Sequence, residues 1–381
     1  MLFKIKIRGI KILLAAVMFT SMLRAQVQAG DSLKYLKRTS YLSDNPKHSQ
    51  LDLFVDSIVY GFMQSPQNCG ISIGISQNGK TSFYNYGESS RDSKQITKST
   101  TIYEIGSLTA GFTGFLLAKA VTEKKLSLED DIRKFLPGEN KNLVYDKNPV
   151  RVKHLAHHSS GLPHLPGDLI TQQNYDPANP YKNYSRDQLL NYLHNVQLAT
   201  SPGTAYDYSS FGLSLLGIIL ENVYGASFEL LVKEKISGPL AMPNTVVNPG
   251  RTQPQDLASG YTEDGVPTPH WILDGFVAAG SLKSDAADLI HFLEHQSDES
   301  NEAVKLAQEV IPLAGGKKTS LAWSISKTKH GNTLMYQSGG TFGSGGFTGF
   351  LKEKRCALAI ICNSGRNVDY IAIALLNYMQ Q

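Results

Sequence analysis

A serine at the opening of a helix is the residue of this chain best placed to do chemistry. Residues 103–114, Tyr-Glu-Ile-Gly-Ser-Leu-Thr-Ala-Gly-Phe-Thr-Gly, read as a short strand, a turn ending at Gly106 and a helix that begins at Ser107. The first turn of a helix has unpaired backbone N–H groups and a partial positive charge. A hydroxyl there is accessible, and negative charge developing beside it is favoured. The same position also suits an ordinary N-cap serine, so the helix alone does not make Ser107 a nucleophile. Tyr208, in Tyr-Asp-Tyr-Ser-Ser (206–210), carries a phenol that can move protons if cations bring it down from its usual value near ~10. Gln337-Ser338-Gly339-Gly340 combines an uncharged amide with glycines that allow close approach to a strand backbone. His154, His157, His158 and His164 cluster without the helical His-Glu-x-x-His spacing, so neither a metal nor any other cofactor is expected.

Hydrophobic periodicity supplies the elements that must hold these groups. Apolar residues at 51, 55, 58, 59 and 62 predict a helix over Leu51–Met63. Cys69–Gln77 and Thr81–Gly87 flank Asn78-Gly79, a strong signal for a tight hairpin turn. The helix from Ser107 runs to about Lys124, with Phe112, Phe115, Leu116 and Val121 on its apolar face. Between residues 126 and 275 helical periods alternate with Pro-, Gly- and Asn-rich connections; Leu213–Val223, Phe228–Lys235 and Ala286–His295 are the clearest helices. Strand patterns return at 320–327, 333–336, 346–352 and 356–362, and a helix over 367–379 follows. Strands towards both ends with helices between them predict an α/β (α+β) fold: an antiparallel sheet flanked by helices, plus a mostly helical inserted domain. The expected division is 51–110 with 275–381 for the sheet domain and 111–274 for the helical one.

The 381 residues are 41% hydrophobic, enough for one large domain or two closely joined ones. Lys4, Lys6, Arg8 and Lys11 precede an apolar run, Ile12–Phe19, with small residues at Ala25 and Ala29. This predicts an export signal over residues 1–25 and a polar lead-in over 26–50, hence a periplasmic or secreted protein. The alternative is an uncleaved anchor, although the run is shorter than the ~20 residues of a comfortable membrane span. Five of the 37 basic residues and none of the 33 acidic ones lie in the leader, so the remainder is close to neutral. Nothing in that balance points to nucleic acid. Cys69, Cys356 and Cys362 lie in apolar strand-like contexts and are expected as buried thiols; one bridge from Cys69 to a later cysteine stays open.

The serine segment resembles the Ser-x-x-Lys nucleophile motif of serine β-lactamases, penicillin-binding proteins and related esterases, with Ala110 where the lysine belongs. Further segments resemble landmarks of that family in its order. They are 127–137, Val-Lys-His-Leu-Ala-His-His-Ser-Ser-Gly-Leu-Pro (152–163), 201–210, 239–242, 279–284 and Tyr-Gln-Ser-Gly-Gly-Thr (336–341). The class C β-lactamase, D-Ala-D-Ala carboxypeptidase and esterase branch is the most similar.

The resemblance implies acyl transfer from a small-molecule or peptide-like acyl substrate. Ser107 would be the nucleophile and Tyr208 a proton carrier. The N–H groups of Ser107 and Gly340 would form the oxyanion hole, with Ser210, Gln337, Ser338 and Gly339 contacting substrate. Two departures accompany Ala110. Ser210 replaces the asparagine of the family's Tyr-x-Asn, and Gln337 stands where a lysine or histidine is usual. Two functions follow as expectations: a serine hydrolase or acyltransferase with altered acid–base machinery, or a binding protein on the same scaffold that has lost catalysis.

Overall fold

The structure is a computed structural model and describes residues 38, 40–250 and 256–381. The predicted leader, and most of the lead-in up to residue 39, lie outside the described residues. Helix α1 (Gln50–Met63) is capped by Ser49, whose hydroxyl accepts from Asp52 N–H while the Asp52 carboxylate accepts from Ser49 N–H. Strands β1 (Gly70–Gln77) and β2 (Lys80–Gly87) form the expected hairpin. Asn78 and Gly79 both have positive φ, 54° and 79°, as a primed two-residue turn requires.

The serine helix consists of a 3₁₀ turn, Gly106–Leu108, running into α2 (Thr109–Thr122). Helices α3 (Ser210–Tyr224) and α4 (Ala286–His295) follow. The remaining strands of the main sheet are β3 (Ile311–Pro312), β4 (Lys318–Thr319), β5 (Ser324–Lys327), β6 (Thr333–Gly340), β7 (Gly345–Leu351) and β8 (Cys356–Cys362), before helix α5 (Asp369–Tyr378).

These strands make one antiparallel eight-stranded sheet in the order β2-β1-β8-β7-β6-β5-β4-β3. The N-terminal hairpin therefore joins the sheet beside the last strand of the chain. Side chains alternate across the pleat, and both faces are covered. In β8, Leu358 and Ile360 enter a core with Val55, Val59, Ile371 and Leu375 from α1 and α5. Ala357, Ala359 and Ile361 face the other core, with Phe112, Leu289 and Phe292 from α2 and α4. Strand β8 is apolar throughout because it is buried on both sides. Cys69, Cys356 and Cys362 are buried free thiols, the first of the two expectations.

The short strands β3 and β4 and the helices Arg186–Leu193 and Glu302–Ala307 carry weak periodic patterns and have no counterpart in the sequence reading. The second half of the predicted 228–235 helix continues as a π-helical turn, Lys233–Ser237.

Candidate active site

Glycine at 106 brings the serine turn onto the sheet. Gly106 has φ +49°, and a Cβ there would stand 2.2 Å from the Gly340 carbonyl oxygen. No side chain fits that approach. The turn is thereby seated on the end of β6. A Cβ at Gly339 would meet the Ser107 Cβ at 2.9 Å and its Oγ at 3.3 Å, so this glycine leaves room for the hydroxyl. Gly340 pairs with Gly345 in β7. Ser107, Gly340 and Ser210 line one small cavity of about 30 Å³, together with Gly106, Tyr181, Trp271, Leu273 and Phe276. The walls are largely aromatic: Trp271 packs edge-on against Tyr181 (5.1 Å between centroids) and against Phe342 (4.8 Å) at the rim.

The Tyr208 loop is held from below by a buried histidine. His158 Nδ1 accepts from Ser209 N–H at 3.2 Å, and its ring lies 4.5 Å from that of Tyr208. Burial pushes the His158 pKa down to about 3, so the ring is neutral and free to accept. Ser209 in turn caps α3, accepting from Gly212 N–H (2.8 Å) and donating to the Pro163 carbonyl (2.7 Å). The Tyr208 hydroxyl is buried, and no protein group among the described residues hydrogen-bonds to it, Ser107 included.

The remaining predicted positions divide by face of β6. Gln337 is 6% exposed and lies on the α2 side, where its Cγ would be 3.7 Å from a Cβ at Gly111. Ser338 points to the opposite face and donates to the Asp369 carboxylate at 2.5 Å. The expected substrate contact by the Ser338 side chain is therefore corrected: strand alternation turns it away from the cavity. Ala110 is fully buried in the core beneath Ser107. Among the described residues, no lysine or arginine lines the Ser107 cavity.

Two buried charged residues, Glu104 and Lys283, lie inside segments singled out in the sequence but have no assigned role there. Glu104 is 7% exposed and bridges the cavity's walls: its carboxylate accepts from Trp271 N–H (2.6 Å) and from the Thr341 hydroxyl (2.9 Å). Only its distance of three residues from Ser107 could have drawn notice. Lys283 pairs with Glu104 in a separate two-stranded sheet, Tyr103–Glu104 with Lys283–Ser284, and is also buried. Its amine donates to the carbonyls of Val247 (3.0 Å) and Ser281 (3.3 Å), so it is not a relocated partner for Ser107.

The string Gly70-Ile71-Ser72-Ile73-Gly74 has the spacing of a nucleophile elbow. It lies inside β1, with Ser72 fully buried and its hydroxyl 3.0 Å from that of Tyr103. It makes no strand-to-helix turn, and Ser72 is a structural serine.

A mixed sheet-and-helix scaffold with a serine at the start of a buried helix, facing a glycine-rich strand end, defines a protein of serine-hydrolase type. The profile of the beta-lactamase family matches residues 55–377, and the chain belongs to that family. A beta-lactamase from Pseudomonas fluorescens is 26% identical over 369 residues, covering 86% of this chain and 98% of that protein. Protein flp of Staphylococcus aureus is 29% identical, but the match covers 67% of this chain and 50% of that protein. Among solved structures, the octameric penicillin-binding protein homologue from Pyrococcus abyssi superposes with a TM-score of 0.73 at 27% identity, over 87% of this chain and 77% of that one. A class C beta-lactamase gives 0.76 at 22% identity, over 88% and 98%, a likeness of fold.

Proposed function

We propose that the protein is an exported serine hydrolase or acyltransferase that takes the acyl group of an ester, amide or lactam onto Ser107, with altered acid–base machinery. The observation that carries this reading is the seat of Ser107 on the glycine turn against Gly340, beside an accessible cavity. Ser107 Oγ attacks the carbonyl carbon and the oxygen takes up the negative charge, which the N–H groups of Ser107 and Gly340 stabilise. The bond to the leaving group breaks, that group departs with a proton, and water or another acceptor releases the acyl chain. Tyr208 is the proton carrier of this scheme; its hydroxyl has no competing partner among the described residues. Ser210 and Gln337 would contact the substrate.

With alanine at 110, that position offers no amine to accept the serine proton. Loss of one member of such a unit typically costs ~10³-fold or more in rate. Turnover through the oxyanion donors and substrate positioning would remain.

A second reading has its own observation. Ala110 is fully buried and, among the described residues, no lysine or arginine lines the cavity, as in a binding protein that retains acyl or peptidoglycan-like ligands without converting them. Intact-mass spectrometry after incubation with a fluorophosphonate, a penicillin and a p-nitrophenyl ester separates the two. An adduct on the native chain that disappears in Ser107→Ala supports acyl transfer. No adduct from any of the three probes, in folded protein, supports the binding reading.

Export rests on the basic-then-apolar leader. Amino-terminal sequencing of protein from its host should give a start near Gln26 or Gly30; an intact Met1 in the cytoplasmic fraction would contradict it.

A further inference from the structure

A cavity of about 370 Å³ lies beside the helix Val152–Ala156 and the short edge strand β3, and shares no lining residue with the Ser107 cavity. Three buried polar side chains with hydrogen-bonding capacity left over line it. The Ser159 hydroxyl has no hydrogen-bond partner among the described residues, and the residue is 1% exposed. His154 Nδ1 accepts from Arg151 N–H at 3.1 Å, which in a neutral ring places the proton on Nε2. That Nε2–H looks towards Gly203 and has no acceptor among the described residues. His157 is 4% exposed, and neither ring nitrogen is hydrogen-bonded among the described residues. Burial holds both rings neutral, with pKa values pushed down to about 4.

Facing these groups are Leu306, Ile311, Pro312 and Leu313. Charge lies at the rim: Glu129 pairs with Lys153 at 2.5 Å and with Arg151 at 3.8 Å, and Glu309 is exposed. Apolar walls with a few convergent polar groups are the usual make-up of a small-molecule site.

We propose that this cavity binds a small uncharged molecule with an apolar body and an amide- or lactam-type carbonyl. His154 Nε2–H and the Ser159 hydroxyl can both donate to the carbonyl oxygen. His157 retains an acceptor nitrogen for the amide N–H. The polar groups that meet inside the cavity are neutral: Glu129 is already shared by Lys153 and Arg151, and Glu309 is exposed at the rim, so neither an anion nor an ammonium finds a counter-ion inside. Neither charged class matches the lining.

The test is saturation-transfer NMR on the full chain with ε-caprolactam as probe, beside cyclohexanecarboxylate and cyclohexylammonium. Transfer to caprolactam and not to the two ions is expected. Ser159→Ala should weaken binding about fivefold, the scale of one lost hydrogen bond. Leu313→Trp, which fills the cavity from a partly exposed position, should abolish it, while Ser107→Ala should leave it unchanged. Circular dichroism establishes that each variant is folded; if Leu313→Trp is not, Ser159→Ala carries the test. No transfer at tens of millimolar, equal transfer to an ion, loss in Ser107→Ala, or persistence at full strength in a folded cavity variant would overturn the assignment.

Discussion

At the scale of single residues, the site is defined as much by what its neighbours do as by Ser107. Glu104 accepts hydrogen bonds from the two segments that wall the cavity, one from Trp271 and one from Thr341. Glu104→Ala leaves both donors without their acceptor and should cost ~1–3 kcal/mol in denaturant unfolding. It should also slow any labelling of Ser107, because the wall moves. Glu104→Gln keeps one acceptor oxygen and should cost less. Ser107, Tyr208 and Gln337 were legible in the sequence because they stand in motifs of fixed order; of these, Ser107 lines the cavity. Glu104 was not, because a bridging carboxylate has no motif and its partners are 167 and 237 positions away. Ser338 was misplaced because a motif gives spacing and not face; only the pairing of β6 with β7 decides which way its hydroxyl points.

At the scale of elements, the decisive contact is the glycine turn on the end of β6. Gly106→Ala would force a Cβ to within 2.2 Å of the Gly340 carbonyl oxygen from a backbone at φ +49°. The turn must then lift off the strand. A loss of stability of ~1–3 kcal/mol, the cost of a strained backbone, is expected in denaturant titration, with loss of probe reactivity at Ser107. Wild-type stability with full reactivity would show that the turn is not held this way. Long, strongly periodic elements were readable from sequence: α1, the β1–β2 hairpin and β8 fall within a residue or two of their expected bounds. The two-residue strands β3 and β4 were not, since two residues carry no period. Strand β6 extends four residues beyond the predicted end at Tyr336, because its glycines are held by pairing with β7 and not by propensity.

At the scale of the molecule, burial of neutral histidines sets how stability responds to acid. His154, His157 and His158 have pKa values lowered by burial to about 4, 4 and 3 from an unfolded value near ~6.5. Between these limits the unfolded chain binds more protons, so the stability they contribute is complete above pH ~6.5 and is lost as the pH falls. The buried acids Asp285 and Asp288 oppose this. Desolvation raises both, Asp288 to about 7, so the folded state holds protons there that the unfolded state has released. His295, whose pKa burial also lowers, acts with the three histidines, and together they outweigh the acids, so stability falls from pH 6.5 towards 5. Asp288→Asn removes one opposing group and should steepen that fall by up to ~1.4 kcal/mol per pH unit, read from urea midpoints. A slope unchanged by Asp288→Asn would contradict the assignment. The fold class itself was legible because strands recur near both ends of the sequence, and the sheet indeed joins β1 to β8.

The central claim is that the chain keeps a nucleophile's seat and lacks its proton acceptor. Ala110→Lys tests it most directly. Position 110 is fully buried, so an amine placed there is desolvated and spends more of its time neutral, as a base must. The measurement is the single-turnover rate of Ser107 acylation by a p-nitrophenyl ester, followed by intact mass, in native protein, Ala110→Lys and Ala110→Lys/Ser107→Ala. A gain of ~10²-fold or more in Ala110→Lys, the scale of general-base assistance, abolished by Ser107→Ala, is the predicted result. A folded Ala110→Lys with no gain would contradict the claim, as would a native chain already acylating at ordinary enzymatic rates.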